Sequence, residues 1–263
     1  LDDPAAVRRL LVPSVCWIHV LGAGVDGFPL DALGERTLTC SRGAAAPAIA
    51  EWVLAVMLAF EKQLPHQWID APPPHWNRAE LGGLSGRTLG LVGVGSIGSA
   101  VARRALAFDM EVLGYRRRSE PAPLAGIELV DDLAALLGRS DHIVVAAPAT
   151  PDTFHLLDAA AFDACKRGAH VVNVSRGSLV DQDALASALD DGRVARASLD
   201  TVDPEPLPAG HWLFAHPGVR LSAHVSWSAP STMDRTIGLF VENLRRFRRG
   251  EALAGVVDPV AGY

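Results

Sequence analysis

The chain has 263 residues, of which 49% are hydrophobic and 21% charged, and its formal net charge is −6. These values are ordinary for a globular protein and exclude a disordered chain. No uninterrupted apolar run reaches the ~20 residues that a membrane span needs, and the basic residues are mostly scattered, so we expect neither a membrane nor a nucleic acid as partner.

The three cysteines, Cys16, Cys40 and Cys165, are far apart and lack the spacing of metal ligands. An odd number of separated cysteines argues for reduced thiols and against a disulfide framework. The first residues include no basic segment that leads into an apolar one, which gives no sign of a targeting signal. We therefore expect a cytoplasmic protein without a metal site.

Short apolar stretches alternate with glycine-rich turns over the first 45 residues, and residues 16–21 are predicted as a strand that leads into a loop at residues 22–27. Residues 48–64 are almost entirely apolar and predict a helix, because Pro47 suits a first helical turn. Such a helix must be covered on most sides, between lobes or at a subunit interface. The proline- and glycine-rich residues 65–86 are predicted as a linker.

Strand-like and helical stretches alternate from residue 87 to residue 221. Strands are predicted near residues 88–92, 111–115, 142–146, 170–174, 195–200 and 219–221, and helices near residues 97–108, 132–137, 158–165 and 182–190. Strands that are apolar on both faces and separated by helices predict a parallel sheet covered on both sides. We therefore predict a doubly wound α/β domain, followed by a helix over residues 231–249 and an extended segment.

A glycine-rich turn joins the first predicted strand of this domain to the first helix, in the stretch Gly93-Val94-Gly95-Ser96-Ile97-Gly98. Gly93 allows a tight turn, Gly95 lets the backbone approach a pyrophosphate, and Gly98 lets helix and strand pack closely. The N–H groups at the helix start, at Ser96 and Ile97, then face the anion. We predict a dinucleotide site here, with a purely structural glycine turn as the alternative.

The second strand of the domain leads into the basic run Arg116-Arg117-Arg118-Ser119, with no carboxylate at the end of the strand, where one would be expected for NAD. An acid at this point would bind the adenosine ribose of NAD, whereas arginine suits the 2′-phosphate of NADP. We predict that Arg116, Arg117 and Ser119 contact the cofactor and that NADP(H) is favoured over NAD(H). A solvated basic turn is the alternative.

Charged or titratable residues follow three later strands: Arg176 in Asn173-Val174-Ser175-Arg176-Gly177, Asp200 and Glu205 in the stretch ending Asp203-Pro204-Glu205-Pro206, and His224 in Ser222-Ala223-His224. The carboxyl ends of parallel strands meet at the edge of the sheet where ligands bind. We expect these side chains to converge on one crevice.

These ordered motifs resemble the D-isomer-specific 2-hydroxyacid dehydrogenases, in particular glyoxylate and hydroxypyruvate reductases, from the Gly22 loop to the helix after His224. The resemblance implies a Rossmann cofactor domain over residues 46–236 and a smaller flavodoxin-like substrate domain over residues 1–45 and 237–263. In the family several strands and helices precede the Gly22 loop, but only about 20 residues do so here. We therefore expect a substrate domain that is shortened at its N-terminal side, or residues before Leu1.

The resemblance also implies a role for each site residue. Arg176 holds the substrate carboxylate and polarises its carbonyl, His224 transfers the proton, and Glu205 is its acid partner. Asp200 positions the nicotinamide carboxamide, and Pro148 belongs to the loop over the cofactor. The substrate carboxylate is bound by successive backbone N–H groups of the Gly22 loop, which we assign to Ala23, Gly24 and Val25; a structural glycine turn is the alternative.

The chemistry explains these residue types. Reduction of a 2-keto acid needs a hydride on the carbonyl carbon and a proton on its oxygen, and imidazole changes protonation near neutral pH. A neighbouring carboxylate stabilises and orients the protonated imidazole, and a guanidinium can grip the substrate carboxylate with two donors. His19, His211 and His216 are interpreted as core or surface residues, and Trp227 either lines the substrate pocket or packs.

Three functions stay open on this evidence. The first is reduction of glyoxylate, hydroxypyruvate or a related 2-keto acid by NAD(P)H. The second is formate or phosphite oxidation on the same fold, although formate enzymes pair the histidine with glutamine rather than with an acid such as Glu205. The third is an NAD(P)-sensing binding protein without turnover. Because family members pair through the region of residues 48–64, we also expect a homodimer.

Overall fold

The computed structural model describes residues 3–117 and 121–263. In chain order its strands are β1 (Trp17–Val20), β2 (Thr37–Cys40), β3 (Thr88–Val92), β4 (Glu111–Tyr115), β5 (Ile127–Val130), β6 (His142–Val145), β7 (Ala169–Asn173), β8 (Val194–Leu199) and β9 (Val219–Leu221). Its helices are α1 (Pro4–Leu10), α2 (Ala46–Glu61), α3 (Ser96–Leu106), α4 (Leu133–Arg139), α5 (Ala159–Ala164), α6 (Gln182–Asp190) and α7 (Pro230–Arg249).

The larger sheet has seven parallel strands in the order β5-β4-β3-β6-β7-β8-β9 within the described residues. This order confirms the predicted doubly wound domain. The chain moves outward from β3 in one direction and then returns to start again at β6, so the connections diverge between these two strands. In such sheets a crevice opens at the carboxyl ends of the strands at this point.

Helices cover both faces of this sheet. Val144 in β6 packs with the core of α2 and α3, which includes Val53 and Val101. Its neighbours Ile143 and Val145 point the other way, into the core under α4, α5 and α6. Each fully buried side chain of this size contributes about 1.5–3 kcal/mol by its removal from water. Burial on both faces explains why the strands read as continuous apolar runs.

Most predicted elements of the large domain begin and end within two residues of the observed ones. Three elements of the chain were not predicted: α1 and β2, which precede the large domain, and β5 within it. The strand β5 lies at the edge of the sheet and has only four residues, of which Glu128 is exposed and Leu129 and Val130 are half-buried. Such a strand has little apolar periodicity. The helix α2 ends at Glu61, three residues before the predicted residue 64.

A small lobe is formed by β1, β2 and the segment that follows α7. β1 and β2 pair in parallel, and the later segment joins β2 through hydrogen bonds from Cys40 N to Gly255 O (3.0 Å) and from Val257 N to Leu38 O (2.9 Å). The predicted extended conformation is wrong for the following residues, because Asp258 closes a turn that includes Gly262. The domain boundaries at residues 45 and 237 stay a prediction.

Residues 65–86 contain neither helix nor regular strand, as predicted for a linker. Trp68 and Trp76 in this segment are 73% and 72% exposed. Across the described ranges, no helix has both the length and the apolar character needed to cross a bilayer.

Candidate active site

A cleft of about 1000 Å³ opens at the carboxyl edge of the large sheet and extends to the small lobe. Most of the predicted site residues line it: Ala23, Gly24, Val25, Gly93, Gly95, Ser96, Ile97, Arg116, Arg117, Pro148, Arg176 and His224. Gly98, Asp200 and Glu205 do not line the cleft but contact the lining residues Gly93, Ser226 and His224, respectively. Ser119 lies outside the described residues.

The geometry of the glycine turn fits a dinucleotide pyrophosphate. Gly93 has φ +102°, and a Cβ there would lie 2.6 Å from the backbone N of Ala147. A Cβ on Gly98 would lie 2.3 Å from the carbonyl oxygen of Gly93, so the start of α3 packs against the turn. The position of a Gly95 Cβ, by contrast, has no atom within 4 Å. Backbone N–H groups at the start of α3 can therefore meet an anion in the cleft.

Arg116 and Arg117 follow β4 at the end of the cleft where an adenosine would lie. Arg116 donates to the carbonyl oxygen of Pro121 at 3.3 Å. Arg117 donates to a carboxylate oxygen of Asp152 at 3.3 Å and to the hydroxyl of Tyr263 at 3.0 Å. Neither Asp152 nor Tyr263 was predictable as a partner of Arg117, because they lie 35 and 146 residues from it along the chain.

The turn that carries Arg176 is fixed by the asparagine at the end of β7. Asn173 is fully buried; its side-chain nitrogen donates to the carbonyl oxygen of Arg176 (2.8 Å), and its side-chain oxygen accepts from the backbone N of Ser175 (3.0 Å). Gly177 allows close packing after the arginine, since a Cβ there would lie 1.9 Å from the carbonyl carbon of Val202. These contacts explain the spacing between Asn173 and Arg176.

Asp26 of the small lobe forms an ion pair with Arg176. The Nε and Nη2 atoms of Arg176 each lie 3.0 Å from a carboxylate oxygen of Asp26, and Nη1 donates to the carbonyl oxygen of Ser175 at 2.7 Å. A guanidinium has five N–H donors. Within the described residues these bonds leave one donor on Nη1 and one on Nη2. This pair of donors can grip a substrate carboxylate or carbonyl.

Gly24 is needed for this arrangement, because a Cβ at this position would lie 2.1 Å from Nη2 of Arg176. Burial raises the pKa of Asp26. The hydrogen bond and the positive charge of Arg176, with a smaller contribution from His224, outweigh burial and bring the pKa below its usual value. Asp26 is therefore ionised at neutral pH. Asp26 was not predicted as a site residue, since no local pattern shows a partner 150 residues away.

His224 and Glu205 form a hydrogen bond of 2.9 Å between Nδ1 and Oε2. The other carboxylate oxygen of Glu205 accepts from the backbone N of Val202 at 3.1 Å. An ionised carboxylate can only accept, so Nδ1 carries a hydrogen, and Nε2 is the nitrogen that can exchange a proton with a bound molecule. His224 lines the cleft together with Arg176 and Asp26.

Asp200 organises the loop that carries His224. Asp200 is 1% exposed; its carboxylate accepts from the backbone N atoms of Val225 (2.8 Å) and Ser226 (3.0 Å), and its backbone carbonyl oxygen accepts from His224 N (2.8 Å). These bonds hold His224 at φ +53°, in the left-handed region that a residue with a side chain rarely adopts. The predicted contact of Asp200 with a nicotinamide stays a prediction.

Trp227 lines the cleft and also donates from Nε1 to the carbonyl oxygen of His224 at 2.8 Å. The other histidines considered above serve local structure. His19 bonds to the hydroxyls of Thr39 and Ser41, and burial lowers its pKa. His211 and His216 each accept a bond from a nearby backbone N atom.

Comparison with known proteins shows a family to which this chain is similar over most of its length. Residues 54–226 match the family model described as "D-isomer specific 2-hydroxyacid dehydrogenase, NAD binding domain". The chain is 32% identical over 261 residues to a glyoxylate reductase of Thermofilum pendens, covering 94% of this chain and 76% of the relative. A D-isomer specific 2-hydroxyacid dehydrogenase of Xanthobacter autotrophicus Py2, solved with NADPH and MES, superposes with a TM-score of 0.84 at 31% identity over 95% of this chain and 80% of that one.

A further relative is considerably longer. The chain is 32% identical over 243 residues to a D-3-phosphoglycerate dehydrogenase of Methanocaldococcus jannaschii, which covers 90% of this chain but only 46% of the relative. The chain thus spans less than half the length of that enzyme.

Proposed function

Because the chain belongs to the D-isomer-specific 2-hydroxyacid dehydrogenase family, we propose that it interconverts a small 2-keto acid, such as glyoxylate or hydroxypyruvate, and the corresponding D-2-hydroxy acid. One observation carries this proposal: Arg176 and His224 line the same cleft. Arg176 has two N–H donors left for an anion, and His224 is hydrogen-bonded to Glu205. The glycine turn opens into the same cleft.

Each residue has a definite part in this proposal. The nicotinamide, when bound, supplies or takes up the hydride. Arg176 binds the substrate carboxylate and polarises the carbonyl, with backbone N–H groups of the Gly22 loop beside it. His224 gives its Nε2 proton to the carbonyl oxygen during reduction and takes it back during oxidation. Glu205 stabilises the protonated ring through Nδ1.

We propose NADP(H) as the preferred cofactor. Two arginines, Arg116 and Arg117, line the adenosine end of the cleft, and they stand directly after β4, where an enzyme that prefers NAD would carry a carboxylate for the ribose. Ser119 is proposed as a further phosphate contact. Pro148 would lie over the cofactor, and Asp200 would meet the carboxamide if the cleft rearranges on binding.

We also propose that two copies associate through α2. Trp52, Val56 and Phe60 on this helix are only half-buried in the single chain, and the linker that follows exposes two tryptophans.

A reducing, cytoplasmic location is proposed because all three cysteines are free.

A spectrophotometric screen tests the proposed activity. NADPH and NADH oxidation are followed with glyoxylate, hydroxypyruvate, pyruvate and longer 2-keto acids, and NADP⁺ reduction with formate and phosphite. We expect turnover with at least one 2-keto acid and a higher kcat/KM with NADPH. Tight NADPH binding without turnover of any of these compounds would favour the sensor function, and turnover of formate or phosphite alone would favour that chemistry.

A further inference from the structure

Tyr263 reaches the cofactor cleft from the small lobe. The segment before it is attached to β2 by the backbone bonds of Gly255 and Val257 described above. It then closes on itself: the Asp258 carboxylate accepts from Val260 N and Ala261 N (2.9 and 3.1 Å), and Asp258 N donates to Tyr263 O (3.1 Å). This turn fixes the backbone of Tyr263, whose side chain and that of Arg117 both line the cleft.

Arg117 contacts a second loop of the large domain through Asp152 and the small lobe through Tyr263. It follows β4, whereas Asp152 lies in the loop after β6, and these strands are the two neighbours of β3. The guanidinium lies 3.3 Å from Asp152 and 3.0 Å from the Tyr263 hydroxyl, and its carbon is 5.4 Å from the centre of the Tyr263 ring. We call these three residues the Arg117 cluster.

The cluster is suited to exchange one anion for another. The side chains of Arg117 and Asp152 are 51% and 77% exposed, and an ion pair that exposed contributes little to stability. A phosphate dianion binds a guanidinium more strongly than a single exposed carboxylate contact does. The contact of Tyr263 is of another kind, because an aromatic face and a hydroxyl can stay on the guanidinium while a phosphate takes its other donors.

We propose that Tyr263 is a binding residue for the adenosine 2′-phosphate part of the cofactor: it holds Arg117 in position for the 2′-phosphate and forms an aromatic wall for the adenosine. This inference rests on the proposed NADP(H) function. It also makes the small lobe, which supplies Tyr263, part of the cofactor site. Cofactor bound at the adenosine end would then favour one orientation of the small lobe relative to the large domain.

Calorimetric titration with the two halves of the cofactor tests the inference. Adenosine 2′,5′-bisphosphate probes the adenosine end, and reduced nicotinamide mononucleotide probes the other end. We expect Tyr263→Ala to weaken binding of the bisphosphate about three- to tenfold, Tyr263→Phe to weaken it less, and neither to change binding of the mononucleotide. Phe214→Ala, which removes an aromatic ring that is 61% exposed and outside the cleft, is the matched control.

Two results with Tyr263→Ala would overturn the inference. The first is a bisphosphate affinity in Tyr263→Ala that equals that of the unaltered protein. The second is an equal loss of affinity for both halves, which would show a general effect on the fold. If the unaltered protein binds the mononucleotide but not the bisphosphate, both the NADP(H) preference and the role of Tyr263 are wrong, whereas 2-keto acid reduction with NADH would survive.

Discussion

Asp26 and Arg176 form a two-bonded ion pair across the cleft, with both N···O distances at 3.0 Å. The pair links the small lobe to the large domain. It also fixes one side of the guanidinium, so that the remaining donors keep a defined direction before any substrate arrives. Because the proposed substrate is an anion, this orientation bears directly on its binding.

Replacement of Asp26 by asparagine is expected to raise KM for the 2-keto acid. The amide can accept only one of the two bonds and carries no charge, and loss of a hydrogen bond between charged groups corresponds to about a ten- to hundredfold weaker interaction. Steady-state kinetics with saturating NADPH measures the effect. Asp31→Asn is the control, since Asp31 pairs with Arg8 on the exposed surface of the small lobe. An unchanged KM in Asp26→Asn would show that Arg176 does not depend on this partner.

Replacement of His224 by glutamine is expected to lower kcat by about 10²–10⁴-fold, the range typical of a lost general acid. Glu205→Gln keeps a hydrogen-bond acceptor for Nδ1 but removes the charge, so a smaller loss is expected. NADPH binding, followed by fluorescence titration, should be unchanged in both. His211→Gln is the control on a histidine with a structural contact. Comparable kcat values for His224→Gln and the control would contradict the proposed proton transfer.

A buried histidine cluster predicts how stability depends on pH. His170 is fully buried and bonds to His142 (3.1 Å) and Ser198 (2.9 Å). Burial, with the charges of His142 and Arg196, lowers the pKa of His170 well below its usual value. The folded chain therefore keeps this ring neutral at a pH where the unfolded chain binds a proton.

The sign of the effect follows from this difference. The contribution of His170 is fully present above the unfolded pKa of about 6.5 and decreases as the pH falls below it, by up to about 1.4 kcal/mol per pH unit. Urea unfolding at pH 7.5 and 5.5 should show a smaller loss for His170→Gln than for the unaltered chain. His75→Gln, at an exposed position, should behave as the unaltered chain does. Equal losses in all three proteins would refute the prediction.

The proposed association through α2 is tested by a charge on its free surface. Ala55 is exposed in the single chain, so Ala55→Glu would be nearly neutral on a monomer but would bury a charge in a dimer. We expect sedimentation at micromolar concentration to give a dimer for the unaltered protein and a monomer for Ala55→Glu. Ala160→Glu, at an exposed position of α5, should leave the dimer intact. A monomer in the unaltered protein would exclude this association.

Much of the large domain was predictable because its signals are local. The runs at residues 89–92 and 143–145 are apolar on both faces, and the sheet buries them on both faces. The strand β5 escaped prediction because an edge strand with an exposed Glu128 has no such run. The large sheet therefore followed from its central strands, while its edge did not.

The candidate site divides in the same way. Arg176, Glu205 and His224 were predictable because each lies in a motif beside a strand end. Asp26 and Tyr263 were not selected, because their contacts with Arg176 and Arg117 join positions 150 and 146 residues apart. Pairings of this kind depend on how the small lobe lies against the sheet, which no local pattern contains.

The backbone of His224 also sets a limit on how this protein could be made more resistant to heat. A left-handed conformation at a residue other than glycine costs on the order of 1 kcal/mol, and the hydrogen bonds of Asp200 hold it there. Glycine would relieve that cost but would remove the imidazole. Thermal stability and the proposed proton transfer therefore conflict at this one residue. Substitutions that raise stability without loss of activity must be sought away from the loop.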